Sequence, residues 1–360
     1  MRRLLLWLHR WFGIVLAVYV IVIGVSGSAL VFHDEIAATF RVPRVEPTAA
    51  ARLDADQVVA RLRGAFPGWQ LQTLYWPEHE HAPWFAEVRQ GPVGVLGEIA
   101  RGVYLHPGSG EVLLVHDYSS SPWRWLQLLH FNLVSGRTGR LVNGWLSVAT
   151  IFSVLTGILL WWPKERSGRR LWTVNRSARP KRFIWELHQV TGAYLMLFVL
   201  TLCVTGSYFA WRASFHQAVA AVFPMRFMNV PLAPIQPVAE GQLKPLASFL
   251  PAVRERVPGY PVTRVLFPER PDAPIRFVVY EGSRRDFFRA SNLFFNPVSG
   301  ALLRADLVSD RLAGDSIVHW IGAVHYGAFG SWPVKTLWVL GGIAFPLLGI
   351  SGVILWLRKN

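Results

Sequence analysis

The chain has 360 residues, 52% of them hydrophobic and only 16% charged, and it holds a single cysteine. One cysteine excludes an intrachain disulfide framework. The net charge of +15 would suit a nucleic-acid partner, but the basic residues flank long apolar runs, and that placement points to a membrane instead.

The first apolar run is 11–32. Arg2 and Arg3 precede it, as in a secretory signal peptide. The run is too long for one, no small-residue cleavage site follows, and the chain repeats the run later. Three more runs lie at 143–162, 187–210 and 335–357. Each has about 20 or more mostly apolar residues, enough to cross about 30 Å of hydrocarbon as a helix. Cys203 falls inside the third and reads as a small packing residue.

The long segment 34–142 contains a soluble module. LDADQVVARLR (53–63) has the pattern of an amphipathic helix with Asp54 as its cap. Alternating stretches at 70–76, 84–89 and 99–105 read as strands, and YLHPGSGEVLLV (104–115) as strand, turn and strand. The loop 163–184 then carries Lys164, Arg166, Arg169, Arg170, Arg176, Arg179, Lys181 and Arg182 against Glu165 alone. With Arg2, Arg3, Arg10, Arg358 and Lys359, this loop sets the orientation: both termini and 163–184 in the cytoplasm, the two long segments outside. The second long segment repeats the first. A helix is expected near 244–256, strands near 261–267 and 275–281, then LFFNPVSGALLRA (293–305). HPGSGEVL and NPVSGALL align with a shift of 190, so His106 falls on Asn296 and reads as a turn residue before a ligand.

The membrane runs repeat as well, and they carry histidines. With a shift of 179, His9 falls on His188, Gly13 on Gly192, Gly27 on Gly206 and Ser28 on Ser207. With a shift of 195, His130 falls on His325 and Thr156-Gly157 on Ser351-Gly352. His9 and His188 open two membrane helices near the cytoplasmic face. His130 and His325 sit in short aromatic helices on the outer side, starting at Ser121-Pro122 and Asp315-Ser316. Buried ionisable groups in a membrane usually have a partner, and imidazoles paired by internal symmetry suggest a shared metal. Gly13 and Gly192, one turn on from their histidines, would leave room for a flat ligand. The outer face also has His33, His216 and His319 as possible replacements. His33 and His319 are unmatched in the repeat. The remaining histidines, His79, His81, His106 and His116, read as surface residues of the first module.

The stretches LHRWFGIVLAVYVIVIGVSGSALVF, LLHFNLVSGRTGRLVNGWLSVATIFSVLTGILLWWPK and WELHQVTG resemble the PepSY-associated transmembrane helix family, and each soluble module resembles a PepSY domain. The resemblance implies a membrane α-helical bundle of four transmembrane helices, formed as two repeated hairpins, plus two periplasmic α+β PepSY-like domains. The expected domains are a first membrane helix (1–33), a periplasmic domain (34–120), an interfacial and second membrane helix (121–162), the basic loop (163–184), a third membrane helix (185–211), a second periplasmic domain (212–314) and an interfacial and fourth membrane helix (315–360). The family includes inner-membrane ferric-siderophore reductases of the ferrioxamine-reducing type. It therefore implies two b-type haems and outward electron transfer to a periplasmic ferric siderophore, releasing Fe(II).

The residues are compatible with haem. No cysteine or carboxylate accompanies the paired histidines, and aromatic, apolar surroundings suit a porphyrin better than zinc. His9 and His188 are expected to ligate one haem iron, His130 and His325 the other. The chain has no GxGxxG, P-loop or HExxH motif and no nicotinamide or flavin module, so electrons must come from a quinol or a cytoplasmic reductase. Two alternatives stand: a quinol-linked b-type cytochrome serving another periplasmic acceptor, and a non-enzymatic PepSY-type peptidase regulator. Trp69, Tyr75, Trp76, Trp84, Phe85, Phe287 and Phe288 read as module core, with a surface for a bulky chelate as the other possibility.

Overall fold

The computed structural model describes residues 1–33, 35, 43, 45, 52–79, 81–91, 99–118, 121–162, 172–226, 232, 235–237, 242–282 and 289–358. Lys164, Glu165, Arg166, Arg169, Arg170, Phe287 and Phe288 lie outside them. The chain divides into two units. One comprises 1–33, 125–215 and 320–360, the other 34–124 and 216–319.

The first unit is helical. Its long apolar runs become α1 (Arg2–Leu30), α4 (Gly136–Trp161), α5 (Pro180–Ala210) and a pair, α9 (Trp332–Gly342) and α10 (Ala344–Leu357). All four stretches are long and apolar enough to cross a membrane. They pack in a closed ring in which α1 touches α4 and α10, and α5 touches the same two neighbours. The ring's outside is apolar: Val15, Val18 and Leu197 are 70–74% exposed, a surface that only lipid would cover without cost. Its inside is a small apolar cluster of Val199, Cys203, Ala344 and Phe345 with Val20, Ile151, Val154, Leu195, Leu202 and Leu348 packed on it. Cys203 is buried and reduced, as its packing role requires.

The fourth run was expected as one helix and is broken at Ile343. Gly341-Gly342 precede the break and Pro346 follows it. The proline removes a backbone donor and crowds the preceding turn. The glycines are there for space: a Cβ on Gly341 would lie 2.2 Å from Phe198 Cε1, and one on Gly24 2.5 Å from the Phe345 Cβ. Small residues of this kind let membrane helices approach closely. Two short helices complete the unit's described framework, α3 (Pro122–Asn132) and α8 (Ala313–Tyr326), each running into it from the other unit's sequence.

The second unit holds α2 (Ala55–Ala65), α6 (Arg212–Ala220), α7 (Leu250–Arg256) and eight strands: β1 (Gln70–Tyr75), β2 (Trp84–Gln90), β3 (Ile99–Leu105), β4 (Val112–Asp117), β5 (Val262–Leu266), β6 (Ile275–Tyr280), β7 (Ala290–Phe295) and β8 (Leu302–Asp306). Helix α6 begins in the first unit and ends in this one. Asp54 caps α2 as expected. Its carboxylate accepts from Gln57 N at 2.8 Å while the Gln57 side chain accepts from Asp54 N at 2.9 Å, satisfying two donors a helix start leaves open.

The two soluble modules expected at 34–120 and 212–314 share one sheet. The strand order is β4-β3-β2-β1-β5-β6-β7-β8, antiparallel throughout. At the junction Leu74 stands opposite Val265, flanked by Thr73 opposite Leu266 and Tyr75 opposite Arg264. A shift of 191 carries the Leu74–Val265 pair onto itself and exchanges the two flanking pairs, so a local twofold passes between Leu74 and Val265. Neither is solvent-exposed. One core runs under both halves, from Val58, Leu62, Ala86, Val88, Val103 and Leu105 to Phe249, Val253, Phe277, Leu293 and Phe295. The helices cross-brace it: Asp56 of α2 accepts from the backbone N–H of Leu246 at 2.6 Å and of Ala247 at 3.0 Å, capping the short 3-10 turn before α7.

Candidate functional site

The helical unit brings the four expected histidines together as two pairs. The rings of His9 and His188 are 6.1 Å apart between centroids, and those of His130 and His325 6.3 Å. His9 and His188 face each other across the ring of helices, from α1 and α5. His130 comes from α3 and His325 from α8. Of the alternatives, His33 follows the two-residue turn after α1, His216 lies on α6, and His319 six residues back on α8, about 240° around it from His325.

Each imidazole is fixed through Nδ1. His9 Nδ1 donates to the Ser153 carbonyl at 3.0 Å and reaches Thr156 Oγ1 at 3.1 Å. His188 Nδ1 meets Ser351 Oγ at 2.8 Å, His130 Nδ1 meets Ser26 Oγ at 2.9 Å, and His325 Nδ1 meets Thr205 Oγ1 at 3.0 Å. The tautomer follows from what the hydroxyls do with their own hydrogens. Ser26 donates to the Val22 carbonyl at 2.7 Å, Thr205 to Thr201 at 2.7 Å, Ser351 to Leu347 at 2.6 Å and Thr156 to Ser153 at 2.8 Å. Each hydroxyl hydrogen is spent on its own helix, so each oxygen accepts from the imidazole. All four rings then carry their proton on Nδ1 and keep a lone pair on Nε2. That is how metal-binding histidines are usually held. Burial keeps the outer pair neutral, pushing His130 down to about 4 and His325 to about 3.

A glycine follows each hydroxyl, and each histidine lies on it. A Cβ on Gly27 would stand 2.8 Å from His130 Cε1. On Gly206 it would stand 3.2 Å from His325 Cε1, on Gly157 3.1 Å from His9 Cε1, and on Gly352 3.6 Å from His188 Cε1. Ser26-Gly27, Thr205-Gly206, Thr156-Gly157 and Ser351-Gly352 are thus one receptacle built four times. By contrast, a Cβ on Gly13 would meet nothing within 4 Å, and one on Gly192 only Leu348 Cδ2 at 3.7 Å. A side chain at either glycine would therefore enter open or loosely filled space.

The short outer helices are pinned from the membrane helices. Asn143 Nδ2 donates to the His130 carbonyl at 2.8 Å and the Phe131 carbonyl at 3.3 Å, and Tyr19 donates to Asn143 Oδ1 at 2.8 Å. In the other half the equivalent position is Trp338, shifted by 195. Its Nε1 donates to the Val324 carbonyl at 2.7 Å, and its ring meets Phe198, the equivalent of Tyr19, edge-on at 5.1 Å. The same bracing is done once with an amide and once with an indole. Phe209 lies 5.2 Å from His325, and Arg212 stands 5.1 Å over Phe209, bringing a cation near the outer pair.

Sequence reasoning found the histidines and missed what holds them. Thr156-Gly157 and Ser351-Gly352 were visible as a matched pair without a role, and Ser26 and Thr205 were not singled out. The signal was there: each falls on the other under the same shift of 179 that matches the histidines.

In the other unit His106 is a turn residue. Its Nδ1 accepts from Gly108 N at 3.2 Å and Ser109 N at 3.1 Å, as Asn296 Oδ1 accepts from Val298 N and Ser299 N at 2.9 Å each. His79 and His81 are exposed. Trp84 is buried core, and Trp69 and Trp76 pack against that core. Tyr75 and Phe85 point to the opposite face of the sheet, where Tyr75, Phe85 and Tyr104 stack in a row at 5.2 and 4.7 Å. The matching row in the other half is Leu266, Arg276, Phe294 and Arg304, with Arg304 4.6 Å above Phe294. Burial raises the carboxyl of Glu87 on this face, against the hydrogen bonds of Thr73 and Tyr75 and the charge of Arg264.

Over residues 6–359 the chain matches the family described as the PepSY-associated TM region, and it belongs to that family. No curated protein matches the chain.

Proposed function

We propose that the protein is an inner-membrane dihaem reductase that passes electrons outward to a periplasmic ferric siderophore. The observation that carries this reading is the doubled constellation of two facing imidazoles, each with Nδ1 bonded and Nε2 open. Two nitrogens at ~2.0 Å on opposite sides of one ion stand ~4 Å apart. Centroid separations of 6.1 and 6.3 Å come down to about that distance once the radius of each ring is subtracted. Neither pair has a third protein ligand within a cluster: among the described residues no group of three or more His, Cys, Asp or Glu is placed to hold a metal. A bare ion would therefore be badly under-coordinated. A porphyrin would supply the remaining donors itself, and the paired imidazoles would hold its iron.

His9 and His188 would hold the inner haem, His130 and His325 the outer one. When bound, these groups supply one-electron redox chemistry. The chain supplies the rest. Ser26, Thr205, Thr156 and Ser351 orient the imidazoles and raise their basicity, the glycines admit them, and the apolar bundle excludes water. Arg212 supplies positive charge beside the outer pair. The basic residues of the 163–184 loop and the termini support a periplasmic position for the soluble unit, where a ferric chelate too large and polar for the bilayer would be met. Reduction to Fe(II) weakens chelation and frees the metal, and it needs no protein acid or base.

The test is optical and kinetic. Purified protein should show low-spin b-haem bands and two haems per chain by pyridine haemochrome. Prereduced protein mixed with ferrioxamine in a stopped-flow cell should reoxidise. Protein without haem bands would leave a non-redox role. Two haems with no reoxidation would move the acceptor to another class.

A further inference from the structure

We infer that the bundle between the two histidine pairs carries electrons without protons, so that outward transfer is driven by the membrane potential. The inference rests on the dihaem reading above. The depth of the two sites comes from the bonds already described. His130 is held by Ser26 and His325 by Thr205. On α1 Ser26 is 17 residues beyond His9, and on α5 Thr205 is 17 residues beyond His188. That is a rise of about 26 Å, most of the ~30 Å of hydrocarbon.

Nothing in that interval titrates near neutral pH. Residues 11–30, 141–161, 190–210 and 336–357 contain no Asp, Glu, His, Lys or Arg. The helices meet there through Val199, Cys203, Ala344 and Phe345, all less than 8% exposed, with Val20, Ile151, Val154, Leu195, Leu202 and Leu348 around them. Buried hydroxyls in the interval give their hydrogens to main-chain carbonyls: Ser147 to Cys203 at 3.1 Å and Thr150 to Leu146 at 2.8 Å. A proton needs exchangeable groups in hydrogen-bond reach or a file of water. Water needs two to four polar partners to stay in a cavity, and this plug does not offer them. An electron tunnels through such packing; a proton is stopped by it.

The balance is simple. One electron leaves a cytoplasmic donor, a quinol or a reduced flavin that serves two turnovers and leaves its protons on its own side. One Fe(III) outside becomes Fe(II). No bond forms or breaks in the bundle, and one negative charge moves outward. With the cell interior negative, that movement is downhill.

The experiment uses the holoprotein in sealed phosphatidylethanolamine–phosphatidylglycerol vesicles, oriented with the soluble unit outside. An impermeant redox buffer outside fixes the outer group, and absorbance reports the reduced fraction of the inner one. Valinomycin with a tenfold K⁺ gradient then sets the potential. Such a gradient biases one charge crossing the whole membrane tenfold, and about 26 of 30 Å gives about sevenfold. The reduced-to-oxidised ratio of the inner group should fall about sevenfold with the interior negative and rise as much with the gradient reversed. A pH gradient of one unit at zero potential should leave it unchanged. A ratio that follows the pH gradient, or ignores the potential, overturns the inference and leaves the dihaem reading standing. Vesicles without two haems per chain bring down both.

Discussion

The two units are both doubled, and they use the doubling differently. In the helical unit the side chains repeat: histidine, hydroxyl and glycine recur at matched positions, twice for each pair. In the sheet unit the backbone repeats and the side chains diverge. The junction at Leu74 and Val265 and the turns at His106 and Asn296 correspond. The open face nevertheless carries Tyr75, Phe85 and Tyr104 on one half and Arg276, Phe294 and Arg304 on the other. The physical reason lies in what each twofold does. In the proposed reading two facing histidines share one group, so neither half tolerates loss. A sheet junction needs only backbone donors and acceptors in register, so the half-buried side chains of that face are released to differ. Even in the helical unit, the bracing outside the pairs is freed in this way, with Asn143 in one half and Trp338 in the other.

The largest expected effect breaks the symmetry at a ligand. His9→Ala and His188→Ala should each lose the same haem, and His130→Ala and His325→Ala the other, halving the pyridine haemochrome value in all four. Variants of one pair that lose different haems would undo the pairing.

Next come the receptacles. Gly27→Val and Gly157→Val should each mimic the histidine variant of their own site, since a Cβ alone would stand 2.8 and 3.1 Å from the ring. Gly13→Ala should keep full haem content, because its Cβ enters open space. Equal losses in all three would mean that helix packing, not ring placement, is being measured.

A smaller effect is expected at the hydroxyls. Ser26→Ala, Thr205→Val and Ser351→Ala should keep both haems and shift the midpoint potential of one. Each removes one hydrogen bond, worth about 1 kcal/mol. Redox titration of the separate α-bands would show whether Ser26→Ala and Thr205→Val move the same haem, as the shared outer site requires.

The smallest effect lies in the sheet, where symmetry does not bind the side chains. Burial raises the Glu87 pKa above its unfolded value. A carboxyl raised on folding favours the fold when protonated, and that support is lost as pH rises from the unfolded to the folded pKa. Glu87→Gln should therefore raise the melting temperature of the sheet unit more at pH 8 than at pH 4, with haem content unchanged. Equal shifts at both pH values would show that Glu87 ionises in the fold as readily as in the unfolded chain.

Much of this was legible in the chain itself. Four long apolar runs, the helix at 53–63 with its Asp54 cap and the strand-turn-strand of 104–115 are local patterns, and periodicity within one element reports them. The four histidines were legible for a different reason: a duplicated sequence places equivalent residues at equivalent depths, whatever the packing. Tertiary structure alone decided the partners. The Ser26–His130 bond joins residues 104 apart and Thr205–His325 residues 120 apart, and no local pattern encodes an acceptor on another helix. The same holds for the merging of the two modules into one sheet, because β1 and β5 are paired by three residues each and carry no sign of one another in sequence. The break at Ile343 needed both kinds of information. Pro346 and the glycine pair announce a weak point, but only the close approach of Phe198 to Gly341 and of Ser28 to Gly342 explains why the glycines are there.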